Sequence, residues 1–572
     1  MKELGTLDLS IVGVYLAGTV ALGIYFARRK QTSPEGYFLA GRNLTWPFIG
    51  LSLFATNIST EHFTGLAASG HELGLVAGGW EWMASLCLIM LACVFAPQYL
   101  RHKVFTIPEF FEKRYGPEMR VSLTFYFLIM IVLTKVAMAL FSATIVIDYF
   151  TEDFSETTIL WSIGILTAAY TFFGGLRAVI YTDFVQSIIL IGGSVILTWI
   201  GLDAVGGWEG LTSRLTEIDE DRAKLGEESL GMLSMVKGVD HKLPFSGYLL
   251  GNFLIGGMFY WCMDQVNVQR VLGARNLHHA TSGAIFAGFL KIIPVFIFVL
   301  PGIIGFVLFG EGADGGVHEA LKSIGEDGNV ILGEDGKPEI AYNKTYPVLL
   351  AELLSPGLLG LVLAALLAAL MSSLSSSFNS VATLVGRDIV ARWQSEGKSE
   401  DDSVRTQLLS GRIALVAVMV LGILATPLVK SEKTLWDYLQ VVTGYLSVPF
   451  AVAGLLGIFS SRINRQGAIC GVATGIIVGA VLFIDSKMAE AGQEWDIAFL
   501  RHEYLGSFLH RHFLSAVLTA ATMIIVSLLT APPSKEIQEG SFSLRRGWGE
   551  LSTTHKAWIG VLFATICALW WI

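Results

Sequence analysis

Ser52-Leu-Phe-Ala-Thr-Asn-Ile-Ser-Thr-Glu-His-Phe-Thr64 sits in the middle of an otherwise apolar segment, and eight of its thirteen residues are polar. Its surroundings decide how to read it. Of 572 residues, 53% are hydrophobic and only 15% are charged, with a mean hydropathy of +0.60. Soluble chains carry about 25% charged residues. Apolar runs long enough to cross a hydrocarbon core of ~30 Å as helices recur along the whole chain. Runs of this length exclude barrel strands, so the chain reads as an all-α membrane protein. About fourteen spans are predicted: 8–27, 44–70, 76–99, 121–147, 157–173, 180–203, 246–269, 280–309, 347–385, 411–428, 434–459, 466–485, 510–530 and 557–572. Within the second of them, the polar run is costly at membrane depth and marks a pathway or a site.

A second span shares the anomaly. The seventh reads Gly256-Gly-Met-Phe-Tyr-Trp-Cys-Met-Asp-Gln265, with paired glycines and then an acid. Transporters built from inverted repeats place an interrupted helix at the same position of each half. Spans 2–6 and 7–11 fit two such halves of five, each opening on a broken helix. Because five is odd, the halves insert with opposite orientation. The organisation expected is an N-terminal extra helix and inner loop (1–43), a first repeat (44–203), an outer loop (204–245), a second repeat (246–459) and three C-terminal helices (460–572).

The ninth span carries Ser372-Ser373-Leu-Ser375-Ser376-Ser377-Phe-Asn379-Ser380. On a helix, 372, 376 and 380 share a face, flanked by 373 and 375. Serine-rich helices often only permit close packing. A sodium site is the functional alternative, since a hard cation wants several oxygens. Backbone carbonyls would supply the rest. In an intact helix the carbonyl of Ala55 is taken by the amide of residue 59 and that of Ile58 by residue 62. Unwinding the second span frees both to face the serines.

Other features bound the answer. The net charge of −9 lies mostly in loops, and no basic stripe suggests nucleic acid. No P-loop, His-Glu-x-x-His or Cys-x-x-Cys occurs, and no nucleophile–base pair points to an enzyme. All five cysteines fall inside predicted spans, which argues against a disulfide framework. The first span is followed by Arg28-Arg29-Lys30, the reverse of a signal peptide's charge order, so it is expected to be retained. With the N-terminus outside, the inner loops hold 23 Lys and Arg and the outer segments 14, which puts both termini outside. The outer loop 310–346 contains Gly325-Glu-Asp-Gly and Gly333-Glu-Asp-Gly, expected as two turns about a short hairpin, with a cation site as the alternative.

Several stretches resemble the solute:sodium symporter family. They are Ala55-Thr-Asn-Ile-Ser59, Trp80-Glu-Trp82, Gly174-Gly-Leu-Arg-Ala-Val-Ile-Tyr-Thr-Asp-Phe-Val-Gln186, Tyr260-Trp-Cys-Met-Asp-Gln-Val-Asn-Val-Gln-Arg270 and Met371-Ser-Ser373. Arg462 followed by Gly467-Ala468-x-x-Gly471 resembles that family's second signature. The similarity is strongest to the sodium/glucose cotransporter branch, in which His62, Glu81 and Lys291 have counterparts. It implies the leucine-transporter fold with 5+5 inverted repeats. It also implies a core sodium site of the Ala55, Ile58 and Ala369 carbonyls with the Ser372 and Ser373 hydroxyls. Asp183, Ser375 and Ser376 match a further sodium site of some members, so one or two coupling ions are expected. Asn57, His62, Glu81, Tyr260, Trp261, Lys291 and Gln440 match the substrate positions of the sugar carriers. Ala84 and Gly257 depart from bacterial galactose carriers, where both positions are polar. Lys135 is expected to form an intramembrane ion pair, with Asp183 the suggested partner; Asp264 and Asp437 are similar in kind. The expectation is a bacterial cytoplasmic-membrane symporter for a monosaccharide or cyclic polyol such as glucose, galactose or inositol. Its rivals are the same machine for proline, pantothenate or an anion, and a sugar sensor that does not transport.

Overall fold

The computed structural model describes residues 4–28, 33–150, 155–313, 316–325, 329–333, 336–393, 399–429, 435–490, 500, 502–539 and 544–571. Among these, regular structure is helical, and β-pairing is limited to four isolated bridges. We number the membrane helices α1 (Thr6–Ala27), α2 (Trp46–Asn57, resuming over 60–73), α3 (74–101), α4 (Pro117–Phe150), α5 (156–174), α6 (176–204), α7 (245–262, resuming as Gln265–Leu272), α8 (Leu277–Phe309), α9 (Leu358–Trp393), α10 (Glu400–Val429), α11 (Leu435–Phe459), α12 (Arg465–Glu490), α13 (Phe508–Leu529) and α14 (Thr553–Leu569).

Nine helical stretches among the described residues are individually long and apolar enough to span a membrane. The count reaches about fourteen because two of them each hold parts of two spans, α2 and α7 are broken, α14 has only 17 residues, and the 25-residue α11 adds one more. Helix α9 lies at the centre: its most apolar window is 89% buried, against 17% for α1. A helix apolar all round belongs in the core.

Small residues set the joints. Helices α5 and α6 form one continuous run kinked at Gly175, which has φ +56°. A Cβ there would meet the Tyr37 carbonyl at 2.5 Å, so the Gly174-Gly175 motif is a steric requirement of the bend. The ninth span begins at Leu358, not at 347. Residues Thr345–Leu353 make a separate short helix, divided from α9 by Ser355-Pro356-Gly357, with Gly357 at φ +90°. The outer loop 204–245 carries an 18-residue helix, Gly207–Lys224. In loop 310–346 the two expected turns are present, closed by Gly325 N–H to the Asn329 carbonyl and Gly333 N–H to the Lys337 carbonyl, both 2.8 Å. They join three short extended pieces; the acids of both turns lie outside the described residues.

The second signature is also a packing device. Gly467, Gly471 and Gly475 recur every fourth residue on α12 and lie directly against Ser527, Met523 and Thr519 of α13. Small residues at this spacing let two helices close without side chains between them. Arg462 holds the end of α13 through the carbonyls of Leu528 (3.3 Å) and Thr530 (3.1 Å).

One buried acid had no sequence expectation. Asp8 of α1 is 1% exposed and accepts the amides of Gly357 (2.7 Å) and Gly360 (2.8 Å), the N-terminus of α9. A carboxylate there satisfies two orphan donors and the positive end of the helix dipole. The peripheral helix is thereby pinned to the central one. Asp8→Ala should cost about 1–2 kcal/mol and lower the midpoint of thermal unfolding in detergent, with Asp8→Asn losing less. An unchanged midpoint for Asp8→Ala contradicts the capping role.

Candidate functional site

The site is built around the break in α2. Helical geometry ends at Asn57, and Ile58 is extended (φ −76°, ψ 116°). The Ser59 amide, which an intact helix would send to the Ala55 carbonyl, instead meets His62 Nδ1 at 3.4 Å. The His62 amide goes to the Ser59 carbonyl (3.0 Å) and not to that of Ile58. Both carbonyls expected to be released by unwinding are released. Ser373 Oγ donates to the carbonyls of Ile58 (3.1 Å) and Thr56 (3.2 Å), which ties the break directly to α9. Ala369 lies one turn earlier on α9 and is fully buried.

Asp183, on α6, closes the other side of this group. It accepts from Ser372 Oγ and Ser52 Oγ, each at 2.6 Å. Ser376 Oγ pairs with Thr56 Oγ1 at 3.0 Å, and Ser375 Oγ donates to the Ser372 carbonyl at 3.0 Å. The residues matched to two sodium sites therefore form one contiguous oxygen-rich cluster.

The break in α7 falls at Met263–Asp264, seven residues beyond the glycine pair. Gly256 and Gly257 stay helical, at the end of a wide-turned stretch Tyr248–Gly257. A Cβ on Gly257 would lie 2.9 Å from Cys87 Sγ and 3.1 Å from Asn252 Oδ1, so a polar side chain does not fit there without moving Asn252. Asp264 caps the resumed helix, accepting from the amides of Val266 (2.9 Å) and Asn267 (3.3 Å).

This resumption carries Arg270, which was assigned to an inner loop and is in fact fully buried. Its guanidinium bonds Ser376 Oγ and the Val266 carbonyl, reaches Ser52 Oγ at 3.2 Å and stands 4.0 Å from Asp183. The cation beside Asp183 is thus Arg270, and the expected Lys135–Asp183 pair is wrong. Lys135 sits 4.1 Å over the Tyr260 ring, with Glu61 and Asp264 as the acids acting on it. A buried ammonium is held by a ring face and nearby carboxylates where one partner alone was expected.

Six of the seven positions matched to a substrate site come together on the other face of the break. Lys291, fully buried, bonds both Glu81 and Asn57. Asn57 Nδ2 donates to Tyr260 Oη at 3.0 Å, His62 Nε2 stands 3.5 Å from Glu81, and Lys291 lies 5.3 Å over the Trp261 ring. The side chains of Gln440 and Asp437 lie outside the described residues. Asn57, His62, Glu81, Tyr260 and Trp261 line a cavity, and so does Glu61, which the sequence reading passed over. Its carboxylate bonds Ser59 Oγ, at the break itself.

The model of the "Sodium:solute symporter family" matches residues 37–475. The chain belongs to this family. Among its relatives, the human sodium/myo-inositol cotransporter is 35% identical over 556 residues, covering 93% of this chain and 74% of that protein. Sodium/glucose cotransporter 1 of mouse is 32% identical over 557 residues, covering 94% and 81%. A substrate-bound, outward-open Na+-coupled sialic acid symporter shares the fold at a TM-score of 0.73 and 20% identity, covering 93% of this chain and 99% of that one. The protein is therefore an integral membrane sodium-coupled symporter with the leucine-transporter fold, and not an enzyme.

For this symporter, the ties between the α2 break and α9 generate a direct expectation. Ser372→Ala and Ser373→Ala should each raise the sodium concentration for half-maximal uptake, or abolish uptake, in protein that still reaches the membrane. Sodium titrations unchanged in both variants rule the serines out as ligands.

Proposed function

We infer that the symporter imports a monosaccharide or a cyclic polyol of the glucose, galactose or inositol kind. The observation that carries this reading is the chemistry of the cavity wall. A carboxylate that only accepts (Glu81), an amide that does both (Asn57) and two aromatic rings (Tyr260, Trp261) line it, and an ammonium that only donates (Lys291) bonds the first two from behind the wall. A polyol ring offers many hydroxyls, each donor and acceptor, and apolar faces for the rings. A zwitterion does not need so many separated polar groups. Glu81 would repel a small anion only if unpaired, and Lys291 pairs it, so what disfavours an anion is Glu61 and the number of groups that match hydroxyls. That relatives at 32–35% identity are cotransporters of myo-inositol and glucose points the same way.

The mechanism is alternating access. Sodium bound by the Ala55, Ile58 and Ala369 carbonyls and the Ser372 and Ser373 hydroxyls locks the α2 break to α9. Asn57 and Ile58 are neighbours, so the peptide unit that faces the ion on one side holds the substrate amide on the other. One ion falling through ~100 mV supplies roughly 2.3 kcal/mol, near a 50-fold gradient; two supply roughly 4.6 kcal/mol, above 10³-fold. We assign two, the second at Asp183, Ser372, Ser375 and Ser376. Arg270 already bonds Ser376, so guanidinium and second ion are alternative occupants and Arg270 withdraws as the ion enters. The two halves are 44–203 and 246–459. The Lys and Arg distribution orients both termini outside, in a bacterial cytoplasmic membrane.

Two outcomes follow. In proteoliposomes under an imposed sodium gradient, glucose, galactose or inositol should compete for uptake, whereas proline and pantothenate should not. Glu81→Ala should lose sugar binding yet keep its sodium-dependent conformational change. Saturable sodium-driven proline uptake, undisturbed by Glu81→Ala, sinks the sugar assignment and leaves the symporter intact. The reversal potential of the coupled current should fit two sodium ions per substrate, and Asp183→Asn should lower the ratio or stop transport. A wild-type ratio of one means that Arg270 keeps its seat and the second ion site does not exist.

A further inference from the structure

The cavity that touches Glu81 has a second polar wall, and part of it comes from a helix outside the ten-helix core. His512 of α13, Thr443 of α11 and Trp80 of α3 line the same space as Asn57 and Glu81. His512 is 3% exposed and Trp80 9%. Yet His512 Nε2, Thr443 Oγ1 and Trp80 Nε1 have no hydrogen-bond partner among the described residues. Buried polar atoms are almost always satisfied, so three orphans carried by residues that line one cavity from three helices mark a place where a ligand supplies the partners.

The histidine is not free to turn away. Its ring stands edge-on to Tyr445 at 4.6 Å and to Phe508 at 5.4 Å, and it packs on Gly444, where no side chain would fit. Helix α13 is drawn in close by Gly247 and Gly251, four residues apart on α7, which abut Leu509. A histidine present only to fill that space would do no better than a phenyl ring. Only its nitrogens distinguish it, and Nε2 is unbonded on a ring that lines the cavity beside Gly444.

We propose that His512, with Thr443 and Trp80, forms a second hydrogen-bonding wall of the substrate site, so that substrate hydroxyls are read by α13 as well as by the Glu81–Lys291–Asn57 group. The indole N–H only donates, the threonine hydroxyl does both, and a neutral imidazole nitrogen does either according to tautomer. Hydroxyls satisfy all three; an ammonium cannot accept from the indole, and a carboxylate would stand in the same cavity as Glu61 and Glu81. This rests on the sugar or polyol reading and adds to it a requirement for hydroxyls at a second edge of the ring.

The test is a comparison across protein and substrate. Wild type, His512→Phe and His512→Gln are reconstituted, and sodium-driven uptake is measured for glucose, galactose and myo-inositol, then for each monodeoxy analogue of the best one. His512→Phe should raise KM for the parent roughly three- to tenfold, the worth of one hydrogen bond, with half-saturating sodium unchanged. For one deoxy analogue the KM ratio to the parent should collapse toward one, and His512→Gln should restore part of the discrimination. Should His512→Phe not reach the membrane, Thr443→Val and Trp80→Phe remove the other two polar atoms and carry the same readout at other hydroxyls. A wild type that transports sugar while these variants keep every KM ratio overturns the second wall alone. A wild type that transports none of the three overturns the sugar reading and this inference with it.

Discussion

The peptide between Asn57 and Ile58 is the constraint on which the rest of the molecule depends. A helix cannot stop inside a membrane without leaving amides and carbonyls unpaired, and each costs free energy in lipid. Here the debt is met by side chains: Ser373 takes the Ile58 carbonyl, and His62 takes the Ser59 amide. His62 and Ser373 therefore hold open a conformation that the backbone alone would abandon. Because Asn57 bonds Lys291 and Tyr260 one residue away, any movement of the Ile58 carbonyl is felt at the cavity wall. On the proposed site assignment ion and substrate share a hinge, which is a physical basis for coupling.

Around that hinge the charges are arranged so that none stands alone. Glu81 has Lys291, Asp183 has Arg270, and Lys135 has the Tyr260 ring with Glu61 and Asp264 nearby. Removing one member of such a pair leaves an uncompensated buried charge, costing about 3–5 kcal/mol, more than the pair itself contributes. The pairs also link helices that belong to different halves: Glu81 of α3 with Lys291 of α8, and Asp183 of α6 with Arg270 of α7. Under the proposed mechanism, rocking the halves against each other must work against these links, so the charges proposed to recognise solutes also set which arrangements of the halves are tolerated.

What the chain disclosed in one dimension follows from how local each signal is. The α2 break was legible because eight polar residues in thirteen at membrane depth have no other explanation, and the serines of α9 because their spacing puts them on one face. Glu81, His62 and Lys291 were legible through resemblance and not from their own surroundings. The α7 break falls inside the stretch that signals it, at its acid and not at its glycines: Gly257 packs closely against Cys87 and Asn252, while Asp264 begins the new helix. Arg270 was misread for a simple reason: hydropathy places an arginine outside the membrane, and only the structure shows Asp183 and Ser376 waiting for it. Asp8 and His512 act across more than 340 and 60 residues of sequence respectively, on Gly357 and on Gly444, and no local pattern announces contacts of that kind.

Amide hydrogen exchange reads directly whether sodium locks the open backbone at Ile58 and Ser59 onto α9. Peptides covering 55–62 and 369–376 should exchange more slowly in sodium than in an equal concentration of choline, and the difference should vanish in Ser373→Ala. Equal exchange in the two salts, in wild-type protein that transports, would contradict the lock.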